Sequence, residues 1–336
     1  MLMPDEKKSP VPALVITAAI VGAVSGGLYW WKHPTRAAET AEPAPAAAAV
    51  APSAAAPATP VAEAAPLPPN LKAFTVQIRG ALESSIVDEV GKTVGAPLTQ
   101  VVNRTLVWWV RVPADLVKGD TLSVVYETRE NAEPLVHAVR FASGKLGKTF
   151  EAYRFHAQGE KYPHFYDADG VQLELQLVDG PLDEWEQITS LLKDGRKHQG
   201  VDFKCPNGTP VKATFDGVIA RKTWAFGRNG NSLDIQEVGG KGRHALYLHL
   251  SDLPKTAVVG ARVKKGDVIA ASGNTGHSFA PHLHYQLADS AGKVIDPFES
   301  HKTMHAALDM KQKPQLDAEV ARFKKLFGSD PVAGSR

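Results

Sequence analysis

Apolar and polar positions follow different rhythms in successive parts of the chain, and each rhythm predicts a different kind of structure. Residues 11–31 are an uncharged, mainly apolar run of 21 residues, long enough for one helix across a hydrocarbon core. Trp30 and Trp31 close it at the depth of an aromatic belt, and Lys7, Lys8, Lys32 and Arg36 flank it. The apolar run continues past the small-residue site Ala23-Val24-Ser25 to Trp31, so it reads as an uncleaved transmembrane anchor rather than a signal peptide. Residues 37–70 are almost all alanine and proline. They bury no core and predict an extended tether, with a reach on the order of 100 Å at about 3.1 Å per residue.

Residues 71–179 switch to short alternating runs that predict an α+β accessory domain. Residues 74–79, 106–112, 121–127, 135–141 and 149–155 read as strands, and 81–102 carries the apolar spacing of one or two helices. Lys118-Gly119-Asp120 and Asp167-Ala168-Asp169-Gly170 are turn signals, so their aspartates read as turn chemistry rather than a metal site. At the other end, Leu316, Val320, Phe323 and Leu326 fall at i, i+4, i+7 and i+10. They predict an amphipathic helix, packed on a folded domain, within a C-terminal helical extension at 299–336.

Residues 181–298 carry the chemistry. His198-Gln199-Gly200-Val201-Asp202, Tyr247-Leu248-His249-Leu250-Ser251 and Pro281-His282-Leu283-His284 together suggest a zinc site with three protein ligands and a position left for water. Gly200 and the β-branched Val201 argue against a helix between His198 and Asp202, so a tight turn or strand edge is expected. His282 and His284 stand two apart and face one side of a strand, so one can bind metal while the other faces substrate. The same period puts Tyr247 and His249 on one polar face, with Leu246, Leu248 and Leu250 turned to the core. His277 borders the cleft as a candidate substrate contact. The remaining histidines read as surface or hydrogen-bonded residues.

Composition adds exclusions. The net charge is +2 and basic residues are interspersed with acidic ones, so no nucleic-acid footprint is visible. The single cysteine, Cys205, has no partner for an intramolecular disulfide and reads as buried filler.

The three stretches resemble the lysostaphin-like, or LytM-type, zinc endopeptidases of peptidoglycan. The resemblance extends over roughly residues 197–298 and includes Gly208-Thr209-Pro210-Val211, Asp216-Gly217-Val218-Ile219, Gly230-Asn231, Val263 to Ile269 and Gly273-Asn274-Thr275-Gly276. It implies a mainly antiparallel β peptidase domain at 181–298, one Zn2+ held by His198, Asp202 and His284, and catalytic roles for His249 and His282. A bound zinc lowers the pKa of its water from about 15.7 toward about 7 and polarises the scissile carbonyl. No His-Glu-x-x-His helix is present, and imidazoles near a dication stay neutral and able to accept a proton. Which histidine is base and which stabilises the oxyanion stays open.

The chain departs from the family pattern at Ser278-Phe279-Ala280, where Ser-Thr-Gly is usual, and at Gln286, where a glutamate often stands. A phenylalanine at the rim alters the shape offered to substrate. The polar segment 181–197 suggests an abbreviated front wall. A weaker similarity of Gly119 to Glu127 and of Phe165 to Gly170 is to the domain preceding the peptidase in membrane-anchored Gram-negative members. Because only about 180–197 joins the two domains, the accessory domain lies close enough to cover the cleft.

The resulting expectation is a multidomain, single-pass protein of the bacterial inner membrane with its catalytic domain in the periplasm. It cuts peptide cross-links between peptidoglycan peptide stems, with envelope regulatory proteins as candidate partners and no nucleic acid. The alternative is a non-catalytic LytM-like regulator that activates another wall hydrolase. Such regulators typically lack the zinc ligands that this chain retains. A third reading is a zinc hydrolase acting on a secreted protein.

Overall fold

The computed structural model describes residues 70–192 and 198–327. The expected anchor at 11–31 and all but the last residue of the tether at 37–70 lie outside the described residues. Among the described residues no helix is long and apolar enough to cross a membrane. Two antiparallel sheets dominate what remains.

The first sheet is built from β1 (Leu71–Gln77), β2 (Thr121–Glu127), β3 (Leu135–Ser143), β4 (Lys148–Phe155), β5 (His164–Tyr166) and β6 (Val171–Leu177), paired in that order. Between β1 and β2 the chain forms α1 (Leu82–Val90) and α2 (Lys92–Leu106), separated by Gly91 at φ 82°. These helices lay Ile86, Leu98, Val102 and Leu106 on Leu122, Val124, Val139 and Phe141 of the sheet. Val125 of β2 points to the opposite face, as period-2 alternation requires.

The strand expected at 106–112 does not form. The helical turns of α2 run on to Leu106, and the next residues are turns. The Leu-Val-Trp-Trp-Val run has β propensity, but its aromatics are committed elsewhere. Trp109 stacks on Phe150 with ring centres 5.4 Å apart, and Trp108 meets Phe298 of the peptidase region edge-on at 5.5 Å. Burial against two different partners outweighs local preference.

The second sheet contains β7 (Gln187–Ser190), β8 (Val201–Lys204), β10 (Gly217–Lys222), β11 (Asn231–Glu237), β12 (His244–Leu250), β13 (Arg262–Val263), β15 (His282–Ala288) and β16 (Val294–Ile295). Its order is β13-β10-β11-β12-β15-β8-β7, with β16 on the side of β15. A small ladder of β9 (Pro210–Lys212) with β14 (Val268–Ala271) covers it. A short helix, α3 (Phe226–Asn229), precedes β11. Val201, Phe203, Leu233, Ile235, Leu283, Tyr285 and Leu287 form the core, with Cys205 buried beside them. Of the segment 181–197, the described residues 181–192 are less polar in effect than their sequence suggests, because Leu182, Trp185 and Ile188 join this core and β7 supplies the edge strand.

The C-terminal segment is not purely helical. After α4 (Pro297–Ser300), whose first turn is capped by Asp296 Oδ1 accepting from Phe298 N, the chain forms β17 (Thr303–Ala307). This strand returns to the first sheet and pairs with β6. Its residues are exposed or half-buried, so it buries no face that would leave an apolar period in the sequence. The amphipathic stripe does form α5 (Lys313–Lys324), and Leu316, Val320 and Phe323 pack on Val125, Ala138, Tyr153 and Tyr166. The first sheet is thus sandwiched between α1 and α2 on one face and α5 on the other.

Candidate metal centre and flanking histidines

Adjacent strands β8, β15 and β12 build the site from their register. Asp202 pairs with His284, and His284 pairs with Leu248, so all three lie on one face of the sheet. Val201, Tyr285 and Tyr247 are likewise paired and face the core. Tyr247 therefore does not share a polar face with the site. It is fully buried, and its hydroxyl accepts from Thr214 N at 3.1 Å.

Strict alternation would turn His249 into that same core. Its φ of +63° lies in the left-handed region, which breaks the alternation and rotates its ring to the site face. A non-glycine residue there costs about 1–2 kcal/mol. The residue after it, Leu250, is consequently core, as its position in the hydrophobic cluster shows. Sequence periodicity alone does not reveal such an inversion.

His198, on the loop before β8, completes a compact triad. Its Nε2 lies 3.1 Å from Asp202 Oδ1 and 3.1 Å from His284 Nδ1, while the last two atoms are 2.8 Å apart. A tetrahedral site with bonds of about 2.0–2.1 Å has ligand edges of about 3.3 Å, so the three donors are spaced to hold a metal ion. His198 Nδ1 donates to the carbonyl of Leu191 at 3.1 Å, which commits that nitrogen and leaves Nε2 as the donor to the centre. Gly200 makes room. A Cβ there would stand 2.5 Å from the carbonyl oxygen of Tyr285 and 2.8 Å from His284 Nε2.

Two more histidines border the triad. His282 Nε2 is 3.9 Å from Asp202 Oδ1, and the rings of His249 and His282 are 4.8 Å apart. His249 Nδ1 donates to the carbonyl of Thr275 at 2.9 Å, and His282 Nδ1 donates to the carbonyl of Ala280 at 2.8 Å. A carbonyl can only accept, so each ring is held in the tautomer whose Nε2 carries a free lone pair. Thr275 is itself fixed, since its hydroxyl donates to Leu250 O and accepts from Asn231 N.

Charge follows geometry. Burial raises the Asp202 carboxyl, but hydrogen bonds from His198 and His284 and their charges outweigh it and hold the group well below the usual carboxylate range. Burial pushes His249 down to about 4, and His282 and His284 add to that against the opposing effects of Thr275 and Asp202. His249 is thus neutral at physiological pH and able to take up a proton.

His198, Asp202, His249, His282 and His284 are brought together, and His277 lies in the loop whose Ser278 hydroxyl is 3.1 Å from His282 Nδ1. His277 N donates to Arg228 O, and its ring sits 5.1 Å from Phe279, which is 91% exposed. His137, His156, His244 and His305 have partners elsewhere, in Glu127, Glu160, Asp234 and Gln172. Sequence reasoning missed the supporting shell of Leu191, Thr275 and Ala280, because it acts through backbone carbonyls that carry no side-chain signature. It also missed the buried chain from Tyr247 through Thr214 and Tyr285 to His301 Nε2.

The chain is similar to known proteins over this region and beyond. Residues 196–297 match Peptidase family M23. An uncharacterized metalloprotease of Haemophilus influenzae is 30% identical over 236 residues, 66% of this chain and 46% of that protein. Peptidoglycan DD-endopeptidase ShyA of Vibrio cholerae is 31% identical over 224 residues, 63% of this chain and 49% of that one. Glycyl-glycine endopeptidase ALE-1 of Staphylococcus capitis is 45% identical over 93 residues, 28% of this chain and 25% of its own. The chain spans about half the length of the first two relatives, 46% and 49%. The match takes in His198, Asp202, His249, His282 and His284 together, and the chain therefore carries a peptidase family M23 domain of the LytM type.

Proposed function

We propose that this protein is a zinc-dependent endopeptidase that cuts peptide cross-links of peptidoglycan, held at the bacterial inner membrane by residues 11–31 with its catalytic domain in the periplasm. The observation that carries the reading is the triad of His198, Asp202 and His284, with donor atoms 2.8–3.1 Å apart, next to two histidines whose Nδ1 atoms are already committed. The peptidoglycan endopeptidases among its relatives support the substrate class.

Two nitrogens and one carboxylate oxygen, from His198, His284 and Asp202, suit zinc, and a bound ion would supply a Lewis acid for acidifying water and polarising a peptide carbonyl. The chain's own residues do the rest. His198 is oriented by the Leu191 carbonyl, and Asp202 is held ionised by its two histidine neighbours. His249, neutral at physiological pH, stands beside His282 with ring centres 4.8 Å apart, and each has its Nδ1 committed to a carbonyl. Each is placed to take a proton from the attacking water, and the imidazolium so formed can donate to the oxygen of the tetrahedral intermediate or to the leaving nitrogen. A regulator that only docks on another hydrolase has no use for these orienting hydrogen bonds.

The test is digestion of defined cross-linked muropeptides by the full chain, followed by mass spectrometry, before and after chelation and zinc restoration. Release of un-cross-linked peptides that chelation abolishes and zinc restores is the expected result. A chain that holds zinc and leaves every cross-link intact contradicts the reading.

A further inference from the structure

A second concave site lies away from the metal centre, where the first sheet meets the edge of the peptidase sheet. The cavity has a volume of about 160 Å3 and is walled by β4, β5 and β6, by α2, and by Gln187 of β7 and Lys204 of β8. A water occupies about 30 Å3 in the liquid, so the space admits a small ligand. Its charges do not balance.

Arg104 is spent on Glu133 through two bonds of 2.7 and 2.8 Å, and Lys204 is spent on Glu186 at 2.9 Å. Arg129 gives Nε and Nη2 to the backbone carbonyl of Glu133, a group with no charge to offset its own. Arg154 makes no hydrogen bond or ion pair among the described residues. Glu174 lines the cavity too, but it is buried and its oxygens accept from Trp185 Nε1 and Ile188 N. Among the described residues neither Arg129 nor Arg154 has a carboxylate in hydrogen-bond contact, although the charges of Glu186 and Glu127 reach Arg154 and Arg129 acts on the Glu133 carboxylate. Burial, and then the charge of Arg129, push Arg154 down to about 10. Burial, with Arg154 next, pushes His164 on the same wall down to about 4.

We propose that this cavity is a binding site for a small oxyanion, a carboxylate or phosphoryl group, gripped by Arg129 and Arg154. Guanidinium presents paired donors that match both oxyanions, and an arginine withdrawn from water without a partner is stabilised most by gaining one. Because Arg154 and Glu174 belong to the first sheet and Glu186, Gln187 and Lys204 to the second sheet and its lead-in, a bound anion also braces the joint between them. The site is independent of the metal centre and of the activity proposed for it.

Isothermal titration calorimetry of the full chain with inorganic phosphate and with acetate, at fixed ionic strength, tests this and separates the two sources of the oxyanion. The expected result is saturable one-site binding of at least one of them, weakened at least tenfold by Arg154→Gln and kept within twofold in His284→Ala. Arg129 is exposed, so Arg129→Gln offers a second variant that folds whatever the fate of Arg154→Gln, and the same loss is expected. Absence of saturable binding by either anion overturns the proposal. So does affinity that survives Arg129→Gln, or affinity lost in His284→Ala, which would move the anion to the metal centre.

Discussion

The Nδ1 of His249 lies 2.9 Å from the carbonyl oxygen of Thr275, and the histidine reaches it only by adopting a left-handed backbone at φ +63°. Two consecutive residues of β12, Leu248 and His249, thus share the site face of the sheet, and Leu250 returns to the core. Strain of this kind persists where surrounding contacts impose it, here Thr275 and the strand pairing on both sides.

That strain is measurable. Glycine adopts positive φ without a Cβ penalty, so His249→Gly is expected to be more stable than His249→Ala by about 1 kcal/mol, although both lose activity. Chemical denaturation of the two variants reads the difference. An alanine variant as stable as the glycine variant would mean that the backbone relaxes when the ring is gone.

Gly200 is predicted to matter through space rather than flexibility. Gly200→Ala drives a methyl group against Tyr285 O and the His284 ring, with contacts of 2.5 and 2.8 Å before relaxation. The expected outcome is a stability loss of about 1–3 kcal/mol and metal affinity reduced at least tenfold. Metal content after dialysis against a competing chelator measures it, and full retention would show that the ring has room to move.

Glu174 sets a pH dependence. Burial raises its carboxyl to about 7 from an ordinary 4.5, against the opposing bonds from Trp185 and Ile188. Below about 4.5 both folded and unfolded chains hold this proton, and its contribution is intact. Between about 4.5 and 7 the unfolded chain ionises first, so stability falls as pH rises and levels off above the folded value. The loss is on the order of 3 kcal/mol. Glu174→Gln keeps an acceptor for Trp185 and removes the titration. Urea unfolding should show the variant more stable than the parent at pH 8 and similar at pH 4. Parallel pH profiles would contradict the assignment.

Phe279 stands 91% exposed beside His277 at the rim. Phe279→Ala should leave stability within about 0.5 kcal/mol while raising KM for a cross-linked muropeptide several-fold, because so exposed a ring adds little to the fold and is open to what binds there. An unchanged KM would leave the side chain without a part in recognition.

The chemistry was more legible in the sequence than the connectivity. His198, Asp202, His282 and His284 could be placed because histidine and aspartate in short motifs announce themselves, and because a two-residue step on a strand fixes a common face. His249 stands beside His282 for a reason that strand periodicity does not supply, since the period that puts it on the face of Tyr247 is broken at that residue. Trp108 and Trp109 read as strand because β propensity is local, whereas their partners Phe298 and Phe150 are distant in the chain. The strand Thr303–Ala307 was invisible for a related reason, as it buries no continuous face. That Arg154 has no hydrogen-bond or ion-pair partner among the described residues could not be read at all, since the cavity exists only once separate segments have come together.

The most direct test of the central claim compares His284→Ala with His249→Ala for zinc content and for turnover of a cross-linked muropeptide. If His198, Asp202 and His284 are the protein ligands and His249 acts on the reacting groups, His284→Ala loses both zinc and activity. His249→Ala keeps most of its zinc and loses at least a hundredfold in rate, the scale of general acid–base catalysis. Equal zinc loss in the two variants, or full activity in His249→Ala, would contradict the account.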